Sequence, residues 1–216
     1  MPSVKRQPLE SSRDRRRRET REALLDAAYA AFCMAGYAGS SLDQIAGDAG
    51  FTKGALYANF ASKEELFLAL IERQNSSLFE QWSASGITSN DTPHPLIDSL
   101  GHWLSASMKD NREWFLVNAE FTILAARRPE LAARHLVTIE KSCSTLATLI
   151  DEVGNNRPQE DSAAAARIVL ALMDGLVLHA AINPALDLTG DFTLGVRALL
   201  TQAARTTPGE GDITAP

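Results

Sequence analysis

Cysteine is scarce. Cys33 and Cys143 are the only two in 216 residues, too few for a disulfide framework or a ligand cluster, which fits a reducing cytosol. Histidine is scarce too, and His94, His102, His135 and His179 share no metal-ligand spacing with one another or with the cysteines. No metal and no cofactor is expected. The chain has no GxSxG elbow, no GxxxxGK(S/T) loop, no GxGxxG fingerprint and no HExxH pair, so the best-marked enzyme classes are missing and an enzyme is not expected. No uninterrupted apolar run spans a bilayer: residues 168–182 are broken by Asp174 and His179 and are too short. The basic start of the chain runs into alanines broken by Asp26, not into an apolar segment with a cleavage site, so no secretory signal is expected and a cytoplasmic protein is. Alternating runs bounded by hairpin turns and internal repeats are also missing.

What is present is helical periodicity and an uneven charge. The net charge of -6 argues against nucleic acid only if it is spread evenly. It is not: residues 1–63 hold 10 Lys and Arg against 7 Asp and Glu, whereas residues 64–216 hold 11 against 20. The basic excess gathers at Lys5, Arg6, Arg13, Arg15, Arg16, Arg17, Arg18 and Arg21, as an arm beside a polyanion would have it, although a solvated helix start or a tail has the same composition.

The spacing predicts an all-α chain of about nine helices. Leu24, Ala28, Ala31 and Ala35 stripe a first helix over residues 18–35 that stops at Gly36. Ser41 with Gln44 and Ser62 with Glu65 are capping-box pairs that open a second and a fourth helix. Phe67, Leu70, Ile71, Gln74, Leu78 and Trp82 make that fourth helix long and amphipathic, and residues 83–95 then break the chain. Further helices are expected over residues 96–108, 114–124, 132–153, 163–182 and 192–204, with Gly154 and Asn155 closing the seventh. The eighth is apolar on nearly every side and is expected to be buried on more than one face, in a core or between subunits. The expected division is a flexible basic arm at 1–17, a DNA-binding domain at 18–62, a helical body at 63–205 and a disordered tail at 206–216.

Residues 49–67, AGFTKGALYANFASKEELF, carry the most information. A helix end, a turn at Gly50 and Phe51, an N-cap at Thr52, a short helix over residues 53–60 and a capped new start make a helix-turn-helix. Gly54 and Ala55 let the backbone approach the major groove closely, about 12 Å wide. Lys53 could donate to guanine or a phosphate, Ala55 could meet a thymine methyl, Tyr57 could reach a phosphate or methyl, and Asn59 could pair with adenine. Ser41, Thr52 and Lys63 stand at helix starts, which attract phosphate and also need plain caps.

The run of residues 21–67, from REALLDAA through SLDQIA to AGFTKGALYANFASKEELF, closely resembles the DNA-binding domain of TetR/AcrR-family transcriptional regulators. Two departures are visible: Ala58 and Asn59 stand where many relatives have an aromatic or histidine pair, and Phe51 replaces a commoner valine. The resemblance implies a three-helix DNA-binding domain followed by a larger helical body that binds an effector and forms a homodimer, with Thr52, Lys53, Tyr57 and Lys63 on DNA. It also implies a palindromic double-stranded operator, an unknown small-molecule effector and no membrane partner, and most often a repressor. Arg16, Arg17 and Arg18 would join the DNA surface. The last two long helices would form the dimer interface, with Ile168, Leu172, Leu176, His179 and Leu199 in it. Trp82, Trp103, Met108, Trp114, Asn118 and Phe121 are the expected lining of the effector pocket. The alternative is a thiol- or redox-responsive regulator using Cys143 or Cys33, although both lie on apolar helix faces where a thiol is more often inert.

Overall fold

A computed structural model describes residues 11–84, 93–153 and 159–202. The described residues fold as helices without strands, in two compact units that meet in sequence between Leu70 and Ile71.

The first unit holds α1 (Ser12–Gly39), α2 (Leu42–Asp48), α3 (Lys53–Tyr57) and the start of α4 (Lys63–Ala84). α1 begins six residues before the apolar stripe indicates, so residues 12–17 are helical and not an arm. Ser11 is the cause: its Oγ accepts from the Asp14 amide at 3.2 Å, and Asp14 places a carboxylate at the positive end of the helix dipole. The segment 1–10 lies outside the described residues, as does the expected tail. Gly36 takes φ 74 and ψ 172, a region essentially closed to side-chain-bearing residues, and there the helix breaks. The break lets Tyr37 stack on Phe32 at 5.7 Å, with Phe67 of α4 edge-on to both rings at 5.1 and 5.3 Å. Such aromatic pairs add roughly 0.5–1.5 kcal/mol each beyond the area they bury. Leu24, Ile45, Leu56, Phe60 and Leu66 complete a fully buried core.

The turn after α2 is a Schellman motif, in which the Phe51 amide donates to Ala46 O at 2.8 Å and the Gly50 amide to Gly47 O at 2.9 Å. Gly50 at φ 74 makes it possible. Ser62 caps α4 by accepting from the Glu65 amide at 3.2 Å, and the Glu65 carboxylate accepts in return from Ala61 N at 3.0 Å. At Ser41 one arm of the expected box closes, from the Gln44 amide at 3.2 Å.

The second unit holds α4 from Ile71 onward, α5 (Pro93–Asp110), α6 (Arg112–Ala126), α7 (Pro129–Val153), α8 (Gln159–Ile182) and α9 (Leu188–Gln202). Prolines at the first positions of α5 and α7 explain why both start ahead of their apolar stripes: a proline there gives up an amide that has no partner anyway. α5 lies along α9, and α8 packs against α7 and α9. Leu104, Met108, Leu149, Val169, Phe192 and Val196 sit at the centre of their shared core. Within the single chain α8 is buried along one face. Ala165, Ala166, Val169, Met173 and Val177 are buried, while Ile168, Leu178 and Ile182 are 50%, 40% and 86% exposed. Because α8 starts earlier than its apolar stripe, residues 161–182 make a 22-residue segment holding an 18-residue window of mean hydropathy 1.8, long and apolar enough to cross a membrane by length and composition. The buried stripe shows the same helix acting as a core helix with one bare face.

The conformation at Gly36 gives a direct test. Gly36→Ala should lower the stability of the first unit by about 1–3 kcal/mol in chemical denaturation, through strain alone. An unchanged midpoint would show that the break at Gly36 does not hold in solution.

Candidate nucleic-acid interface and effector cavity

The recognition element is only five residues long, below the length at which an isolated helix persists in water. It stands because Leu56 and Phe60 are fully buried beneath it and Thr52 Oγ1 accepts from the Ala55 amide at 3.2 Å. Arg21 of α1 closes the far end: its guanidinium lies 4.3 Å over the Phe60 ring and donates to Asn59 O at 3.4 Å. What remains outward is the first turn, Thr52, Lys53 and Gly54, followed by Tyr57 at 47% exposure. Ala55 is half-buried between them, and Ser41 is exposed at the start of α2.

Three of the expected contacts have other business. Lys53 pairs with Asp43 of α2 at 2.8 Å, and the hydrogen bond and charge of that carboxylate hold the ammonium above its usual 10.5. Asn59 turns its side chain back, donating to Ala55 O at 2.8 Å, so it ends the helix instead of projecting from it. Lys63 donates to Ser40 O at 2.5 Å with its ammonium 4.6 Å over the Tyr37 ring, which makes it a clamp on the aromatic core. Arg16, Arg17 and Arg18 are exposed on the first turns of α1.

In the second unit the α4–α8 region encloses a cavity of about 170 Å³, comparable to a core cavity of about 150 Å³ that takes up benzene. Trp114 and Asn118 line it as expected. Trp103 packs on the core cluster, Met108 lies within that cluster, and Phe121 is buried edge-on to His135 at 5.1 Å; these three do not line the cavity. The side chain of Trp82 lies outside the described residues. Helical spacing tells a buried face from a solvated one, but not which buried face meets a void.

Two lining residues were not assigned to the pocket by spacing. His135 is 4% exposed, shares a hydrogen bond of 2.9 Å between Nε2 and Thr122 Oγ1, and leaves Nδ1 buried without a partner among the described residues. Burial lowers its pKa below 6.5, so it is neutral at physiological pH. Asp174 interrupts the apolar α8 and lines the cavity; the residue is exposed, yet partial desolvation by its surroundings pushes its carboxyl from 3.8 up to about 6. A lone charge inside an apolar helical run was the available signal. Asn118 Oδ1 is a further buried acceptor with no partner among the described residues. Cys143 is half-buried, and desolvation raises its thiol above 9.0 against the opposing pull of Arg167, which reduces its thiolate. Cys33 is half-buried as well.

Of the residues expected at a dimer interface, Ile168 and His179 are exposed, while Leu172, Leu176 and Leu199 are half-buried and pack on the core. Leu172 closes on Gly195 of α9, where a Cβ would stand 2.5 Å from its Cδ2.

The raised carboxyl of Asp174 makes stability fall with rising pH. Between 3.8 and about 6 the folded chain binds more protons at this site than the unfolded chain, so the loss is complete only above about 6. Asp174→Asn should therefore melt higher than the parent at pH 8, with the gap closing at pH 4. The opposite trend from His135 is common to both proteins and cancels. Equal melting temperatures at pH 8 would show a fully solvated carboxylate.

Residues 24–70 match the family model for bacterial regulatory proteins of the TetR family, and residues 98–206 match that for the C-terminal part of BetI-type transcriptional repressors. The HTH-type transcriptional regulator AcrR of Shigella flexneri is 32% identical over 104 residues, 48% of each chain. The HTH-type transcriptional activator FasR of Mycolicibacterium smegmatis is 30% identical over 134 residues, 62% of this chain and 60% of that one. The chain thus spans about half to three-fifths of the length of these relatives. A TetR transcription regulator from Haloarcula marismortui shares the fold, with a TM-score of 0.66 over 86% of this chain and 98% of that one at 17% identity. The C-terminal match alone covers half of the chain and the N-terminal match falls on the helix-turn-helix built by α2 and α3: the chain belongs to the TetR family of DNA-binding transcriptional regulators.

Proposed function

We propose that the protein is a ligand-responsive repressor that binds a palindromic operator as a homodimer in the cytoplasm and is released by a small molecule in the body cavity. The observation that carries this reading is the double duty of α4. Leu66, Phe67 and Leu70 are core residues of the DNA-binding unit, while Ile71, Gln74 and Asn75, on the same unbroken helix, line the cavity. A ligand that displaces the later turns would carry the earlier ones with it. A two-fold dimer sets its recognition helices about 34–36 Å apart or a multiple of this, and a change in that spacing weakens operator binding. A coupling of about 1–3 kcal/mol would serve.

The bare apolar stripe of α8 supports dimerisation. Ile168, Leu178 and Ile182, joined by Leu194 of α9, leave a face that water disfavours and a two-fold copy would cover. Leu172, Leu176, His179 and Leu199 would border it. Repression is favoured by the BetI-type match, although the relative FasR is by name an activator. No step in this scheme is catalytic.

On DNA, the outward first turn of α3 and Tyr57 would enter the major groove, with Arg16, Arg17 and Arg18 on phosphates. Asn59 would act as a helix stop. Tyr57→Ala should weaken operator binding about tenfold or more without altering the melting temperature, because the ring is exposed. Lys63→Ala should lower both affinity and melting temperature, since it removes the clamp on Ser40 and Tyr37. Fluorescence anisotropy beside thermal melts separates the two, and an unchanged affinity for Tyr57→Ala would sink the assigned surface.

The arginines make a second test. Replacing Arg16, Arg17 and Arg18 together by alanine should flatten the plot of log affinity against log salt by up to about 3, at operator and random duplexes alike. An unchanged slope would remove them from the interface.

A further inference from the structure

The cavity of the body carries formal charge of one sign only. Asp174 is the sole formal charge among its lining residues, with neither an ion pair nor a side-chain hydrogen bond among the described residues, and no lysine or arginine shares the wall. Asn118 adds a buried carbonyl oxygen, Oδ1, without a donor, and His135, nine-tenths buried and neutral, leaves Nδ1 unsatisfied. The remainder of the wall is the rings of Trp114 and Phe115, aliphatic groups such as Ile139 and Leu146, and neutral amides and hydroxyls such as Gln74 and Thr145. A buried acceptor without a donor is costly unless something completes it, and a lone carboxylate on the wall of a cavity favours a ligand of opposite charge.

The chemistry that completes this wall is a cation bearing N–H donors on an apolar body. An ammonium group offers charge to Asp174 and donors to the neutral oxygens of the wall, and aromatic faces attract cations. A carboxylate or phosphate ligand would bring like charge to Asp174 with no basic side chain on the wall to offset it. A neutral alcohol would satisfy one acceptor and leave the carboxylate unpaired. We infer that the cavity takes an organic amine, protonated and about the size of one ring with a short alkyl arm, with its nitrogen against Asp174. The inference rests on the cavity being the effector site proposed above, and it specifies the class of effector.

Three probes of nearly equal size test it at pH 7.5 by calorimetric titration of the full chain: 2-phenylethylammonium, 2-phenylethanol and phenylacetate. The ammonium should bind at least tenfold more tightly than the alcohol, and phenylacetate should bind least. Asp174→Asn should bring the ammonium to within about twofold of the alcohol while leaving the alcohol unchanged, a pattern that general unfolding would not produce. Comparable affinities for the three probes in the parent protein, tighter binding of phenylacetate, or no binding of the ammonium at millimolar concentration would overturn the inference. The probe ranking needs no variant, so it stands even if Asp174→Asn folds poorly. Operator release is scored separately: selective ammonium binding with unaltered DNA affinity would sustain the ligand class while refuting the effector reading.

Discussion

The contact on which the rest depends is the edge-on packing of Phe67 against Phe32 and Tyr37. Phe67 sits near the start of α4, so this packing makes the first turns of a body helix part of the DNA-binding unit. The geometry that allows it is unusual: Gly36 must break α1 for Tyr37 to fold onto Phe32, and Lys63 must reach back to Ser40 to roof the cluster. Above this core α3 needs no helical stability of its own. Leu56 and Phe60 anchor it from below, and the side chains left outside are held by the anchor, not by the five-residue helix.

The exposed surface of that unit is not a uniformly positive patch. Lys53, in the first turn of α3, is already paired with Asp43. The pair is solvent-exposed and screened by salt, so it is weak, and a phosphate can compete for the lysine. The body makes a contrasting compromise. Most of its interior is well-packed aliphatic core, yet around one cavity it tolerates a buried amide oxygen and a ring nitrogen without partners among the described residues. Groups left unsatisfied in this way reduce stability and persist where a site needs them.

The sequence disclosed these parts unequally, for physical reasons. Turn chemistry is local, so Gly50, Thr52, Ser62 and Glu65 announced the helix-turn-helix and the start of α4, and the Schellman bonds and caps lie where those residues put them. Helix starts were read late wherever the apolar stripe begins after the cap, as at Ser11 and at the prolines that open α5 and α7. The cavity was half legible. Trp114 and Asn118 line it, but Met108 and Phe121 obey the same periodicity and are simply buried, because a void is a property of how helices meet. Partner choice was the least legible: nothing in the spacing of Lys53, Asn59 or Lys63 says that their polar atoms turn to Asp43, Ala55 and Ser40.

The central claim is that DNA and the cavity are linked through α4. Linkage is reciprocal, so DNA must be felt in the body even when no effector is known. Amide hydrogen exchange, with and without a duplex selected from random sequences for tight binding, measures this directly. The account predicts slower exchange over residues 52–58 together with altered exchange on the cavity wall, in residues 71–77 of α4 and 139–146 of α7. Changes confined to residues 11–60, with the cavity wall exchanging as before, would contradict it.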